Sequence, residues 1–369
     1  MKILFAIKNM NNAKGGAERV LSFVVNGLVE KGHEVTLLTF DERGVDTFYQ
    51  IDDEVKRVSL GIGRAEQKAG VMETIGRMRA MRRVVQVRKP DIIIPFMHSM
   101  FIPMSFALVG IKTPIIASEH IVPLHYKKKQ HEFILLMLSS FLVKKITVLS
   151  ETVRKLYPRF VRRKMVVMPN PVYIHPENIE EGEFNPARKI ILNVGRLSDQ
   201  KDQKTLIRAF ALISDKYPEW DVRIAGEGEN QTFLEELIDK HNLTTRVHLI
   251  GTTHHIAKEY RMAQIFAMPS KYESFGLATA EAMSFGIPAV GFAECAGTNE
   301  IVDHKINGLL ASRDKNHIKN FAKSLEMLMK NKKLRQSLGK KAKTDIVKYQ
   351  PSLIVERWNN LIEDVYERG

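Results

Sequence analysis

A chain of 369 residues exceeds the usual reach of one hydrophobic core, so two domains are expected. Hydrophobic residues make up 44% and charged residues 27% of a chain with one cysteine, Cys295, which excludes an intrachain disulfide framework and a cysteine-cluster zinc site and fits a reducing cytoplasm. The formal charge of +14 sits almost wholly in residues 1–175, where 28 Lys and Arg face 15 Asp and Glu, so that half is expected to meet something anionic: nucleic acid, phospholipid or a phosphorylated acceptor. Neither a zinc-finger pattern nor an aromatic-studded basic motif of the kind that reads bases is found.

Residues 2–7 form an apolar run suited to a buried first strand, too short for a signal peptide, and lead into a loop carrying Gly15 and Gly16. Val20, Leu21, Val24, Val25 and Leu28 then form the apolar side of a helix, and residues 34–40 read as the next strand. Strand, glycine loop, helix, strand is the opening of a doubly wound α/β domain. The glycine pair lets backbone approach a phosphate closely, and it equally suits a plain tight turn, since the six-residue dinucleotide fingerprint is absent. Residues 65–89 predict a helix encircled by Arg77, Arg79, Arg82, Arg83, Arg88 and Lys89, with Met78, Met81, Val84 and Val85 as its buried side. Its basic face is either solvated or a guide toward membrane or phosphate. Further strands are predicted at 91–96, 113–119, 145–150 and 165–168. Ser118-Glu119-His120 closes the second of these, where open α/β sheets place ligand contacts, although a histidine there can also cap the next segment. The apolar runs 99–111 and 133–143 are shorter than the roughly 20 residues needed to span a bilayer. The second is bracketed by Lys127-Lys128-Lys129 and Lys144-Lys145, and reads either as a core helix or as one lying at an anionic interface.

Pro169-Asn170-Pro171 stops the last strand of this half and opens a polar tract through Arg188, the expected interdomain connection. Residues 189–193 restart the rhythm and feed a loop from Gly195 to Lys204, with a helix at 205–213. Arg196 and Lys201 flank that loop. Their natural partner is a diphosphate, one giving a rigid fork and the other a compact charge, though surface basic residues are common. Gly226-Glu227-Gly228 and Ile250-Gly251 close two more strands, and backbone at the second can hydrogen-bond a nucleobase edge. Residues 265–269 form an apolar strand running into Ser270-Lys271-Tyr272-Glu273-Ser274-Phe275, with Gly276 at the change of period and a helix carrying Leu277, Ala280 and Met283. The first N–H groups of such a helix lack intrahelical partners and suit an anion. Glu273 and Glu281, seven residues between them, either face one polar ligand or serve as a capping charge and a solvated helix residue. A strand at 289–292, a short helix from 297 and helices at 318–329 and 334–349 follow, with Cys295 read as buried filler. Pro351 is expected to break the pattern before a last helix, 353–366, whose Ile354, Trp358, Leu361, Ile362 and Val365 pack across to the first domain.

Taken together, Gly15-Gly16-Ala17-Glu18, His120, Gly195-Arg196 with Lys201, Gly226-Glu227-Gly228, and Glu273 followed by Glu281-Ala282-Met283 resemble the retaining glycosyltransferases of family 4 over essentially the full length. The similarity is to bacterial members that extend lipid-linked or surface-polysaccharide glycans. It implies the α/β architecture called GT-B, two facing Rossmann-like domains with a C-terminal helix crossing back to the N-terminal one. The implied divisions are 1–175 for acceptor binding, 176–350 for the nucleotide sugar and 351–369 for the returning helix. The resemblance further implies that Arg196 and Lys201 hold the donor diphosphate, assisted by backbone at Gly15, Gly16, Phe275, Gly276 and Leu277. Glu281 would take the ribose hydroxyls, Ile250 and Gly251 the base, and Glu273 the transferred sugar. His120 would lie by that sugar, so the catalytic set implied is His120, Arg196, Lys201 and Glu273. One departure is Asp202, where many members have glycine.

The implied reaction is retaining transfer from a nucleotide diphosphate sugar, a UDP-hexose or UDP-N-acetylhexosamine, to a hydroxyl of a glycan linked to polyprenyl diphosphate. The resemblance implies no bound cofactor and no divalent metal, because basic side chains neutralise the leaving group. The expected setting is cytoplasmic and peripheral on the inner face of the cell membrane, with the basic first domain on an anionic surface and no nucleic acid partner. The alternatives are a non-catalytic nucleotide-sugar-binding scaffold and a GT-B-like sugar-nucleotide epimerase. A glycogen-phosphorylase-like enzyme would need a lysine site for pyridoxal phosphate, which the sequence does not display.

Overall fold

Strands buried on both faces read as continuous apolar runs, and helices must then cover both sides of the sheet they form. The computed structural model describes residues 1–11, 16–62, 70–173, 188–253 and 255–368. It divides into two compact units, Met1–Pro171 with Pro351–Gly369, and Val172–Gln350. Gly15, the beginning of the 65–89 helix and most of the polar tract before Arg188 lie outside the described residues.

The first unit contains β1 (Lys2–Ala6), β2 (Glu34–Thr39), β3 (Lys56–Ser59), β4 (Ile92–Pro95), β5 (Ile116–Ser118), β6 (Lys145–Val148) and β7 (Met165–Val167). One sheet has the order β3-β2-β1-β4 and another β5-β6-β7. Bridges from Ile93 to Ile115 and from Phe96 to Ser118 join their edges. All registered pairs are parallel. Helix Gly16–Glu30 buries Val20, Leu21, Val24, Val25 and Leu28, the stripe expected of it. Strand β3 has no counterpart among the sequence expectations. Lys56 and Arg57 are exposed at this sheet edge, so the strand lacks an apolar period to be read.

Two arginines of the basic helix, Val71–Arg88, are not solvated. Arg77 is buried, paired to Glu73 at 2.6 Å with its guanidinium 4.8 Å from the centre of the Phe40 ring. Arg82 donates to the carbonyls of Ala107 and Val109 at 2.8 and 2.9 Å. These contacts hold the helix in place, although Arg77 Nε is buried without a hydrogen-bond partner among the described residues. Met81 and Val85 are buried beside them, whereas Met78 and Val84 are only half-buried. The run 99–111 is the core helix His98–Ala107. The run 133–143 is helix Gln130–Ser139 with the turn that follows, and it is two-sided. Leu136 and Val143 are buried, while Ile134, Leu135, Leu138, Phe141 and Leu142 are exposed.

Pro351 starts the last helix, Pro351–Glu367, rather than breaking before it. In a first turn the missing N–H has no intrahelical acceptor to lose, and the fixed φ is already helical. The helix crosses back into the first unit, where Trp358 stacks on Phe96 with ring centres 5.8 Å apart. It meets helix Gly16–Glu30 at Gly27, where a Cβ would lie 2.5 Å from Val355 Cγ2, so only glycine permits that approach.

The second unit contains β8 (Lys189–Val194), β9 (Trp220–Ala225), β10 (Val247–Leu249), β11 (Ala263–Ala267), β12 (Ala289–Phe292) and β13 (Gly308–Ala311). Their order is β10-β9-β8-β11-β12-β13, again parallel throughout. Phe210, Trp220, Phe292 and Phe321 anchor its core. Chain direction across the sheet reverses between β8 and β11. Loops after these two strands splay apart at such a switch point and leave a crevice where doubly wound sheets take ligands.

Candidate functional site

The loop after β8 and the loop after β11 are tied to each other at that switch point. Lys271 N–H donates to the Gln200 carbonyl at 2.9 Å, and Gln200 Nε2 donates to the Tyr272 carbonyl at 3.1 Å. The first loop is also fixed from the β9 side. Gly195 N–H donates to the Ala225 carbonyl and Leu197 N–H to that of Glu227, each at 2.9 Å. A Cβ on Gly226 or Gly228 would overlap the carbonyls of Gly195 or Leu197, which is why glycine stands at both positions.

On this frame Lys201 Nζ lies 2.7 Å from Glu273 Oε1, an ion pair with the carboxylate buried and the ammonium one-fifth exposed. The Lys201 stem runs over Gly195, 3.2 Å from where a Cβ would stand. Arg196 is exposed and has no side-chain partner among the described residues. Glu273 is positioned through its backbone, which donates to the Ala296 carbonyl at 3.1 Å and packs against Gly297. Phe275 is buried edge-on to Tyr349, and Gly276, at φ +89, enters helix Leu277–Ser284 in the left-handed region that glycine tolerates. In the first turn of that helix Thr279 Oγ1 is buried without a hydrogen-bond partner among the described residues.

Glu281 sits one turn further on, where its Oε2 accepts from the Tyr260 hydroxyl at 3.0 Å. Tyr260 is buried and stacks on Phe285. Ile250 and Gly251 follow β10, and the Gly251 carbonyl accepts from Gly226 N–H at 2.8 Å. The second unit thus brings together Arg196, Lys201, Glu273, Phe275, Gly276 and Leu277, with Glu281 on the same helix and Gly251 on the glycine loop beside them.

Three residues here have no sequence signal. Tyr260 and Thr279 are single side chains in ordinary helical runs. Arg313 follows β13, yet it donates to Asp202 Oδ2 at 2.9 Å and to the Ser270 carbonyl at 3.0 Å, and covers the Phe292 ring at 3.9 Å. It joins the same two loops from beneath, across more than a hundred residues of chain. Cys295 is fully buried, and burial pushes its thiol up to about 12, as suits packing rather than nucleophilic chemistry.

Gly16 and His120 belong to the first unit. Gly16 is the first residue of its helix. His120 follows β5 and is buried against the Phe96 ring, and burial pulls its pKa down to about 4, so the imidazole is neutral. Its Nε2 lies 2.9 Å from Ser118 Oγ, which itself accepts from Thr147 Oγ1 at 2.9 Å. With Thr147 donating to it, Ser118 has its own proton to give Nε2, which leaves Nδ1 as the ring's donor. Neighbouring Glu119 is fully buried and pushed up to about 8 by burial, with Tyr126 Oη donating to it at 3.2 Å and Ile121 N–H at 2.8 Å. No group of three or more His, Cys, Asp or Glu able to hold a metal occurs among the described residues, and no helix there is long and apolar enough to cross a membrane.

Two doubly wound parallel units with a C-terminal helix returned to the first define a protein of the GT-B class. The family described as Glycosyltransferase Family 4 matches residues 14–175, and the family described as Glycosyl transferases group 1 matches residues 175–345. This chain is a glycosyltransferase of the GT-B fold, related to the enzymes of those two families. It is 27% identical to an uncharacterized glycosyltransferase of Haemophilus influenzae, over 98% of this chain and 99% of that one. It is 28% identical, over 99% of both chains, to the Campylobacter jejuni GalNAc-alpha-(1->4)-GalNAc-alpha-(1->3)-diNAcBac-PP-undecaprenol alpha-1,4-N-acetyl-D-galactosaminyltransferase. Among solved structures, sucrose-phosphate synthase of Thermosynechococcus elongatus superimposes over the whole of both chains with a TM-score of 0.82 at 18% identity. Anabaena HepE in complex with UDP and glucose matches at a TM-score of 0.77 and 19% identity, over 99% of this chain and 100% of that one.

Proposed function

We propose that the chain transfers a hexose or N-acetylhexosamine, with retention, from a UDP-sugar to a hydroxyl of a polyprenyl diphosphate-linked glycan in bacterial surface-polysaccharide or oligosaccharide assembly. The observation that carries this reading is the Lys201 to Glu273 pair at the β8/β11 switch point, with the Arg196 guanidinium exposed on the same loop. A cation held by a carboxylate is ready to be shared with an arriving diphosphate, and an exposed guanidinium supplies the planar fork that phosphate oxygens accept. In this reading Glu273 meets a sugar hydroxyl, Glu281 the ribose and the Ile250-Gly251 backbone the base. The relative from Campylobacter jejuni, named for a substrate built on PP-undecaprenol, and the HepE complex with UDP support the acceptor and donor classes respectively.

In the reaction, the acceptor hydroxyl attacks the anomeric carbon on the face the diphosphate leaves. The bond from that carbon to the phosphate oxygen breaks with its electron pair going to the diphosphate, and the hydroxyl proton passes to the departing phosphate. Arg196, Lys201 and the N–H groups around Gly276 meet the negative charge as it develops, which is where fixed donors contribute most. In this reading they do the work of a divalent cation, and chelation leaves turnover unchanged. The neutral His120, donating through Nδ1, bonds the sugar. A lipid-linked acceptor brings the enzyme to the cytoplasmic face of the membrane, and the charge concentrated in residues 1–175 suits an anionic surface.

Mass-spectrometric detection of product from a panel of UDP- and GDP-sugars with short lipid-diphosphate acceptors tests the assignment. Product from a UDP-sugar with retained anomeric configuration supports it. Binding without transfer across the panel would leave the non-catalytic scaffold, and isolation of a glycosyl ester on Glu273 would replace front-face attack by a covalent route.

A further inference from the structure

The tract 127–164 is strongly cationic, with eleven Lys and Arg facing two Glu. The same tract carries, among the described residues, a cluster of solvent-facing apolar side chains close in sequence. Ile134, Leu135, Leu138, Phe141 and Leu142, with Phe160, are between 40 and 66% exposed. The first five follow helical spacing along Gln130–Ser139 and into its C-terminal turn, so they share one stripe, while Leu136 and Ser139 face inward. Phe141 and Phe160 stack on each other in the open, ring centres 5.6 Å apart and planes 10° from parallel.

This exposure is held in place. Lys164 Nζ donates to the carbonyls of Ser140 and Val143, each at 2.9 Å, and so caps the turn that carries Phe141 and Leu142. Behind the stripe, Phe133 rests on Tyr126 and Tyr157 at centroid distances of 5.7 and 6.5 Å. Beside Phe160 the chain turns through Arg159, Arg162 and Arg163, which with Arg154 line an open recess of about 380 Å³. Arg154 is paired with Glu151, and Arg159 and Arg163 are exposed.

We infer that this face of the first unit inserts into the interfacial layer of an anionic lipid bilayer, the apolar stripe entering the acyl boundary and the arginine recess taking lipid phosphate. An amphipathic element with low net hydrophobicity, an aromatic and aliphatic tip and flanking cations has the composition such interfaces retain. A second copy of the chain is a poorer occupant, since an isologous contact would set two strongly cationic tracts against each other. Aliphatic Ile134, Leu135, Leu138 and Leu142 give a nucleic acid nothing to stack on. The inference names the surface behind the membrane attachment proposed above, and it rests on that reading only for its setting.

Vesicle flotation with phosphatidylcholine alone and with phosphatidylcholine mixed with phosphatidylglycerol reads it directly. The full chain is expected to float with the anionic vesicles, less so as salt rises. The pair Leu138→Asp and Phe141→Asp should lose at least about tenfold in partitioning, and so should Arg159→Glu with Arg162→Glu and Arg163→Glu. A Phe141→Trp variant should shift its emission to the blue on anionic vesicles and be quenched by bromine-labelled acyl chains. This distinguishes insertion from surface adsorption and does not depend on a disruptive substitution. Transfer to a short soluble acceptor, measured on the same variants, should stay at the wild-type rate. Failure of transfer in every variant and the wild type alike would count against the proposed reaction and leave the vesicle result intact. The inference is overturned by absence of flotation at low salt, by unchanged partitioning of the substituted chains, by an indole emission from the Phe141→Trp chain that remains that of water, or by sedimentation showing that the stripe is buried in a dimer.

Discussion

Arg196 and Lys201 differ in what they do before any ligand arrives. Lys201 is already engaged with a buried carboxylate, whereas Arg196 stands exposed. Replacing Arg196 by alanine removes charge from the transition state and nothing from the fold. The expectation is a fall in kcat of about 100-fold, near 3 kcal/mol, with an unchanged melting temperature. Lys201→Ala should lower turnover to a similar degree and lower the melting temperature as well, because Glu273 is left buried without its cation. Steady-state kinetics and thermal melts of the two variants separate the roles, and equal melts would show that the pair contributes nothing to stability. Glu281→Gln should raise the donor dissociation constant with little effect on melting. Tyr260→Phe, which removes one hydrogen bond to the carboxylate and leaves the carboxylate in place, should raise it less, and titration with UDP reads both. Arg196, Lys201, Glu273 and Glu281 are legible in the sequence because each follows a strand or starts a helix in a recognisable motif. Tyr260 is not, since what it does is set by a packing contact 21 residues away.

Connections between elements make two further expectations. Asp202 occupies the left-handed region at φ 54, a conformation that glycine adopts freely and aspartate tolerates. The strain is offset by its bonds to Arg313 and to Thr205 Oγ1, each 2.9 Å long. Asp202→Gly keeps the backbone conformation and frees Arg313 from its carboxylate. It is expected to destabilise the second unit by about 2 kcal/mol, below the range for a fully buried pair because the guanidinium is partly exposed. It should also raise donor KM, since Arg313 ties the loop of Lys201 to that of Glu273. A melting temperature at or above that of the wild type would mean that backbone relief outweighs the pair. In the first unit, Gly27→Ala drives a methyl into Val355 and should cost about 1–3 kcal/mol by overpacking. Val355→Ala in the same chain should restore much of the loss in a denaturant melt. Most elements were legible because parallel strands buried on both faces leave long apolar runs, as in β1 and β8. The exceptions are instructive. Strand β3 is polar at a sheet edge, Pro351 opens a helix, and Arg77 is buried because Glu73 and Phe40 lie beneath it. In each case position within the sheet or helix, which composition does not carry, decides the outcome.

At the scale of the whole molecule the two units carry different titration burdens. Among the groups of the first whose ionisation burial disfavours are His98 and His120, each pulled down to about 4, and Glu119, pushed up to about 8. Between about pH 4 and 6.5 the unfolded chain binds the two histidine protons and the folded chain does not, so stability falls as the medium is acidified through that window. Glu119 acts in the opposite sense. Between about pH 4.5 and 8 it keeps its proton only when folded, so its contribution is complete below the lower value and is lost as pH rises through the upper one. Of these three, the two histidines outweigh the glutamate on the acid side, and only the glutamate still titrates above about 6.5. The melting temperature of the first unit is therefore expected to peak near pH 6.5 and decline in both directions. Glu119→Gln should flatten the alkaline limb alone, and His98→Asn with His120→Asn the acid limb alone, in calorimetric scans at fixed ionic strength. An alkaline limb that persists unchanged in the Glu119→Gln chain would mean that this carboxyl is already ionised in the folded protein. The Tyr126 hydroxyl and Ile121 N–H that donate to it would then be sustaining a buried charge rather than a neutral acid.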